Sequence, residues 1–486
     1  MLATLLLLHL VLAPAAGAHV LLTKADVRAA VGWIGFVALL PVGGAAMYVL
    51  FGINRVARRG ARIEAERPVL EAVANPPPET PSTEVPSGAR PPPMSGLEAV
   101  GRRVGGTALV EGNSVEAFTN GTGAYPPMLR AIDEAERSVA LASYIFQADR
   151  VGTRFVDALA RARARGVHVR VILDSIGSGL FSPAARRLER AGIPVVLFNR
   201  GVRPLSPALV NLRNHKKLLV VDGRTGFVGG LNVSADNERP GDERPDNERP
   251  GVNRHPRAIR DTHFKVEGPV VRHLATSFAA DLLFASGERL EGARWWPALE
   301  TRGTVAARGV SSGPDATLGA VETLFAAAVT EARERVRIVT PYFLPDQSMV
   351  AFLRIAAMRG VRVEIVVPSR SPHPLVQRAM RAQMRFQRRD GLHFHEGAAP
   401  FDHSKLVTVD GRWCAFGSPN WDTRSLRLNF EFLLECHDAA LTGAVDRLID
   451  GKIARARLLD PVGDLGQVPL PARLADAGVR LFLPYI

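Results

Sequence analysis

The sequence predicts an α/β fold made twice: two tandem α/β/α sandwich domains related by a pseudo-twofold, preceded by an N-terminal transmembrane helical hairpin. Three observations carry this. Helix and strand periodicities alternate in the same order in two stretches of the chain. A ten-residue motif recurs 188 residues downstream with its internal spacing intact, and two long apolar runs precede both copies. A chain of 486 residues is too long for one ordinary core, and its 47% hydrophobic residues can fill two.

The hairpin comes first in the chain. Residues 3–22 form an apolar run interrupted by His9, Pro14 and His19, and residues 29–53 form a second run with no formal charge. The second is long enough to cross about 30 Å of hydrocarbon. Lys24, Asp26 and Arg28 lie between them, so two spans joined by a short loop are the simplest arrangement. Arg55, Arg58, Arg59 and Arg62 follow, and basic residues beside a span keep the adjoining chain in the cytoplasm. A competing reading takes residues 1–18 as a cleaved signal peptide ending at Ala16-Gly17-Ala18, but no basic segment precedes its apolar part. Residues 1–62 are therefore assigned to a membrane anchor. Residues 63–100, with Pro76-Pro77-Pro78 and Pro91-Pro92-Pro93 among polar neighbours, read as a linker with too little apolar surface to order itself.

Two domains follow, at 101–300 and 301–486. In the first, a helix over Met128–Glu136, a strand over Ser138–Phe146, a helix over Phe155–Arg165 and a strand ending at Ile172 are expected. In the second, a helix ending at Glu334, a strand over Val336–Phe343, a helix ending at Arg359 and a strand ending at Val366 repeat that order. The repeat is sharpest at Asn214-His215-Lys216-Lys217 through Asp222-Gly223 and at Asp402-His403-Ser404-Lys405 through Asp410-Gly411. The 188-residue offset persists to Gly230 against Ser418 and Asn232 against Asn420. It then falls to 170 for Asp261 against Glu431, so the first copy is 18 residues longer there. Residues 236–251, which repeat Glu-Arg-Pro three times, form a mobile insertion in that copy.

The motif carries chemistry. On a strand, the first and third side chains of His-x-Lys share a face, so imidazole and ammonium point the same way. Two copies brought together supply one imidazole to attack phosphorus and another to protonate the departing alkoxide. Two lysines with Asn232 and Asn420 would surround the phosphoryl oxygens where charge develops. The catalytic set written by the motifs is His215, Lys217, Asp222, His403, Lys405 and Asp410. The two aspartates precede a turn glycine, which favours holding the turn by hydrogen bonds. A single His-x-Lys is common, whereas a duplicated one with matching flanks and matching downstream Asn is not. This chemistry calls for no metal and no cofactor. His393 and His395 lack the accompanying carboxylates or cysteines of a metal site and read as strand histidines.

The net charge of +13 and pI near 10.5 favour an anionic partner, which an acidic membrane or a nucleic acid satisfies equally. Only six of the 61 basic residues are lysine: Lys24, Lys216, Lys217, Lys265, Lys405 and Lys452. Lys217 and Lys405 occupy matching motif positions, where a compact point charge suits a phosphate better than a bulkier fork. Cys414 and Cys436 lie in apolar runs and read as buried free thiols. Pro374–Arg389, where Met380, Met384 and Phe386 alternate with arginines, is either an interfacial helix near acidic lipid or an ordinary solvated face over a core stripe.

With these motifs in place, the chain resembles the phospholipase D superfamily, and within it the bacterial cardiolipin synthases. The resemblance rests on the paired His-Lys-Asp motif, on Asn211-Leu212-Arg213-Asn214-His215, Gly229-Gly230-Leu231-Asn232 and Thr340-Pro341-Tyr342-Phe343, and on the run from Gly417 to Glu431. It implies that His215 and His403 divide the nucleophile and acid roles, and it favours His215 as the nucleophile. It also implies phosphate binding by Lys217, Asn232, Lys405 and Asn420, with Asp261 and Glu431 orienting the histidines. Two phosphatidylglycerol molecules would be donor and acceptor, joined into cardiolipin with release of glycerol at an anionic surface of the bacterial inner membrane. The alternatives are a hydrolase or a nuclease of the same superfamily. A nuclease gains nothing from a membrane anchor, so no nucleic acid is expected as partner.

Overall fold

The computed structural model describes residues 2–24, 27–52, 94–179, 182–199, 212–238, 258–314, 317–387, 391–460, 463–466 and 468–480. The arginine cluster at 55–62, Asn211, most of the proline-rich linker and most of the Glu-Arg-Pro insertion lie outside these residues.

The N-terminus folds as α1 (Leu2–Thr23) and α2 (Val27–Leu39), and the two apolar runs exchange the roles expected of them. Pro14 sits inside α1 without ending it, and Leu6–Thr23 is the one window among the described helices long and apolar enough to cross a membrane. The second run breaks after Leu39. Proline disfavours helix at the residue before it and supplies no N–H. Beyond Pro41, Val42 takes a φ of 59° before the short helix Gly43–Met47 and a single π-helical turn, Tyr48–Gly52. His19 Nδ1 lies 2.7 Å from the Tyr48 hydroxyl, which ties the broken run back to α1.

After α3 (Ser95–Gly105), the first half runs β1 (Val110–Thr119), α4 (Asn120–Glu134), β2 (Ser138–Ser143), α5 (Arg150–Ala164), β3 (His168–Asp174), α6 (Pro183–Arg190), β4 (Val195–Phe198), β5 (Leu218–Val221), β6 (Thr225–Gly229), β7 (Thr262–Glu267) and α7 (Val271–Ser286). The second half runs β8 (Val305–Ser312), α8 (Ala320–Glu331), β9 (Arg335–Val339), α9 (Gln347–Met358), β10 (Arg362–Pro368), α10 (Pro374–Phe386), β11 (Leu392–Gly397), β12 (Leu406–Val409), β13 (Trp413–Gly417), α11 (Thr423–Arg427), β14 (Asn429–His437) and α12 (Ala439–Ile453). β15 (Ala456–Leu458) and α13 (Leu470–Arg480) close the described chain.

These strands form one sheet in the order β15-β11-β10-β9-β12-β13-β14-β8-β1-β7-β6-β5-β2-β3-β4. Outward from the antiparallel β8–β1 pair the order is the same on both sides, so the pseudo-twofold lies where the copies meet. β5 is an unbroken apolar run and β12 is equally buried, its one polar residue, Thr408, donating to Asp446 on α12. Each half has its own core, and a third cluster joins them, with the Phe264 and Phe416 rings stacked 3.5 Å apart.

One sequence expectation changes here, and α10 takes the second of the two readings given for Pro374–Arg389, an ordinary face over a core stripe. The linker range reached residue 100, yet α3 starts at Ser95 and presents Leu97, Gly101 and Gly105, one helical face, to the second half. At Gly101 any larger side chain would overlap Arg308, whose Nε donates to Glu435 Oε1 at 2.5 Å with both residues fully buried. In α10, Met380 and Met384 belong to the core, Arg381 pairs with Glu396 at 3.0 Å, and Arg385 pairs with Asp476 on α13. The helix is therefore a packed surface element with its central arginines engaged by protein carboxylates.

Candidate active site

Each motif begins with a short strand that leaves its own half. Arg213–Asn214 pairs in parallel with Asn429–Phe430, and Phe401–Asp402 pairs in parallel with Ile259–Arg260. The His215 N–H donates to the Phe430 carbonyl at 2.9 Å, and the His403 N–H donates to the Arg260 carbonyl at 2.8 Å. This exchange sets each histidine beside the carboxylate of the other half. His215 Nδ1 lies 3.0 and 3.1 Å from the two Glu431 oxygens, and His403 Nδ1 lies 2.9 Å from Asp261 Oδ2. A carboxylate at Nδ1 holds the ring proton there and leaves Nε2 with its lone pair. The two rings face each other with centroids 6.4 Å apart and planes at 81°, a gap suited to one phosphoryl group.

The carboxylates are fully buried and held from behind. Ser418 Oγ and Asn429 Nδ2 donate to Glu431, and the Thr262 N–H donates to Asp261 Oδ1 at 2.8 Å. Gly230 and Ser418 occupy matching places and do different things: the glycine leaves room for the Asp261 carboxylate, and the serine donates to Glu431.

Lys217 Nζ donates to the His215 carbonyl at 2.5 Å and lies 5.3 Å from the centre of the Tyr144 ring, and Lys405 Nζ donates to the His403 carbonyl. The regular strands begin one residue after each lysine, at Leu218 and Leu406. Asn232 and Asn420 line a cavity of about 580 Å³ together with both histidines. The Ile145 N–H donates to Asn232 Oδ1 at 3.1 Å, and Asn420 donates to Asp422.

Asp222 and Asp410 do not join this group, contrary to their inclusion in the catalytic set. Asp222 accepts from the N–H groups of Glu136, Arg137 and Ser138, and Asp410 from those of Arg333, Glu334 and Arg335. Each sits at positive φ in the turn after its motif strand and ties that turn to the start of β2 or β9. Their work is local to the turn.

Sequence reasoning missed two lysine clusters behind the histidines. Lys216 Nζ donates to Ser277 Oγ at 2.9 Å and Asp281 Oδ1 at 2.8 Å, while Asn214 Nδ2 donates to Asp281 Oδ2. The second half reverses the charges: Lys452, on α12, donates to Asp402 Oδ2 at 2.6 Å and to Ser404 Oγ. Four of the six lysines thus collect around the two motifs. Their rarity was the signal available in the sequence.

Burial dominates the electrostatics. It lowers His215 to about 4 and His403 to about 3, with the nearby lysines adding to the shift and the partner carboxylates opposing it. Both imidazoles are therefore neutral near pH 7. Burial also lowers Lys217 to about 7 and Lys405 to about 8, and their mutual proximity adds to the Lys217 shift. Glu431 is held at about 2: burial alone would raise it, but His215, Lys217 and Ser418 outweigh burial. The sign of the pH dependence follows. A histidine that attacks must be neutral, so kcat/KM is expected to fall as pH drops through about 4, while a histidine that acts as acid must take up its proton when the phosphate anion beside it opposes the burial shift. If Lys217 and Lys405 hold phosphate they must be protonated, and kcat/KM is then expected to fall as pH rises through about 7 to 8. A profile that stays flat from pH 7 to 9 would remove the lysines from substrate binding.

A family model described as "Cardiolipin synthase, PLD-like domain" matches residues 128–243 and 325–452. A cardiolipin synthase A from Pseudomonas aeruginosa (strain LESB58) is 32% identical over 452 residues, covering 92% of this chain and 88% of that protein. A cardiolipin synthase from Geobacillus thermodenitrificans is 28% identical over 463 residues, covering 94% and 88%. Among solved structures, the phosphatidylserine synthase of Haemophilus influenzae superposes with a TM-score of 0.59 at 15% identity, over 80% of this chain and all of that one. At that identity the likeness concerns the fold.

Proposed function

The chain belongs to the cardiolipin synthase family of phospholipase D-like proteins, and from that premise we propose how its cleft transfers a phosphatidyl group. The protein is a phosphatidyltransferase that joins two phosphatidylglycerol molecules into cardiolipin and glycerol. The donor phosphate lies between the rings, held by Lys217, Lys405, Asn232 and Asn420. Nε2 of His215 attacks phosphorus while His403, protonated as the anion arrives, gives its proton to the leaving glycerol oxygen. His403, now neutral, takes the proton of the second lipid's hydroxyl. That oxygen attacks phosphorus, and the bond to His215 breaks. Asp261 and Glu431 fix both rings throughout. The observation that carries this reading is the pair of imidazoles with ring centroids 6.4 Å apart, each backed by a buried carboxylate from the opposite half.

Residues 1–62 are proposed to anchor the enzyme in the bacterial inner membrane, with Leu6–Thr23 as the span in place of the expected two-span hairpin, because the second apolar run breaks after Leu39. The linker through residue 94 would be the tether, and the two halves, meeting near residue 300, would stand on the cytoplasmic side. The apolar helix Leu6–Thr23 supports membrane attachment. A surface crowded with lipid headgroups also supplies the acceptor, which must outcompete water at about 55 M. Holding an alcohol in place is worth effective molarities of 10⁵ M or more, roughly. Phosphatidylglycerol vesicles should therefore give cardiolipin and glycerol in near-equal amounts with little phosphatidic acid, and added glycerol should drive the reaction backward. Phosphatidic acid as the main product at every lipid density would make the protein a hydrolase.

A further inference from the structure

A phospholipid acceptor brings its own phosphodiester charge into the cleft. In cardiolipin one glycerol separates the two phosphates, so this second anion must lie one glycerol away from the reacting phosphorus. On the phosphatidyl-transfer reading Lys217 and Lys405, buried and each donating to the carbonyl of its own histidine, serve the reacting phosphate. A second cationic position is needed within the same cavity.

Arg213 and Arg424 line that cavity. Arg213 belongs to the short strand entering the first motif, and Arg424 lies on α11, four residues after Asn420 in the other half. Both act electrostatically on Tyr144, which lies in the same wall, and Arg213 is close enough to help burial lower Arg424. Two carboxylates lie nearby, and both are engaged with backbone. Asp174 accepts from the N–H groups of Ile176, Gly177 and Asn214, and Asp422 accepts from that of Ser425.

The pseudo-twofold that relates the histidines, lysines and asparagines fails here. At the 188-residue offset, the mate of Arg213 is Phe401 and the mate of Arg424 is Asp236. Phe401 lines the cavity beside Tyr342, their ring centroids 6.0 Å apart, with Leu375 and Val376 in the same lining. Asp236 is not among the described lining residues. One wing of the cleft therefore carries two guanidinium forks, whose planar donors match phosphate oxygens, and the other is aromatic and aliphatic apart from His373 beside Tyr342.

We propose that Arg213 and Arg424 form the subsite for the acceptor lipid's own phosphodiester, so that the acceptor enters along the Tyr144 wing while the donor lies toward the Phe401 wing. This rests on the phosphatidyl-transfer reading and adds to it a site the duplication does not repeat. The acceptor phosphodiester is bound and stays intact. Only its free hydroxyl reacts, forming the new P–O bond as the P–N bond breaks.

The test compares two acceptors on the same phosphatidyl-enzyme. Full-length protein in phosphatidylglycerol vesicles is given radiolabelled glycerol, and two products are counted: cardiolipin, whose acceptor carries a phosphate, and labelled phosphatidylglycerol, whose acceptor does not. In Arg213→Gln and Arg424→Gln the ratio of cardiolipin to labelled phosphatidylglycerol should fall tenfold or more, and further in the double variant. Arg213→Lys and Arg424→Lys, which keep the charge and lose the fork, should give intermediate ratios and decide the matter if the glutamine variants fail to fold. A ratio within twofold of the wild type in all four single variants, whether or not both products decline together, overturns the subsite. A wild-type protein that exchanges glycerol but makes no cardiolipin would instead overturn the synthase reading itself.

Discussion

Alanine at His403 should leave an enzyme that becomes phosphorylated and stalls, and alanine at His215 should leave one that never becomes phosphorylated. Turnover should fall about 10⁴-fold or more in the His215 variant, which loses the nucleophile, and about 10²- to 10⁴-fold or more in the His403 variant, which loses the acid and base. The two are separated by what accumulates. With phosphatidylglycerol labelled in its phosphate and an alkaline quench, which spares phosphohistidine, label should stay on the His403→Ala protein and be absent from His215→Ala. The reverse pattern would exchange the roles. No labelled protein under any condition would count against a double displacement.

The carboxylates should follow their histidines across the pseudo-twofold. Glu431→Gln and Asp261→Asn keep the shape, but an amide can donate to Nδ1 as well as accept from it, which allows the tautomer with Nε2 protonated. In the Ser-His-Asp template the equivalent change costs about 10⁴-fold in kcat, and a loss of about 10²- to 10⁴-fold is expected here. Glu431 contacts His215 and Asp261 contacts His403, so the trapping pattern should pair them that way. Glu431→Gln should fail to take up label, like His215→Ala, and Asp261→Asn should take it up and stall, like His403→Ala. If Asp261→Asn behaved like His215→Ala instead, each histidine would depend on its own half.

The duplication was legible because phosphoryl chemistry needs the same residues at the same spacing in both copies, and a constant offset from His215 to Asn232 is hard to produce otherwise. The crosswise pairing was not legible. His215 and Glu431 are 216 residues apart, and pairing within or between halves would give the same sequence. Only the parallel bridges Arg213–Asn214 with Asn429–Phe430 and Phe401–Asp402 with Ile259–Arg260 decide it. Asp222 and Asp410 were grouped with the catalytic residues because the motif includes them, although the positive φ that a residue before a turn glycine can adopt pointed to the turn. At the N-terminus, the length of the second apolar run counted for more in the reading than Pro41, and the backbone breaks there. The end of the linker was misjudged because Leu97, Gly101 and Gly105 form a helical face too small to register by composition.

The crossing also bears on synthesis. Domains near the N-terminus fold while later ones are still being made, so β1 to β7 can be complete well before β14 leaves the ribosome, while the Arg213–Asn214 strand that leads into His215 still lacks its partner Asn429–Phe430. In that interval His215 has no carboxylate to fix its tautomer. A chain cut short between Gly223 and His403 keeps the apolar helix Leu6–Thr23 and the whole first motif but lacks Glu431, the carboxylate that contacts His215. Nascent and truncated products are therefore expected to carry out no phosphatidyl transfer, which should begin only with a chain that includes β14.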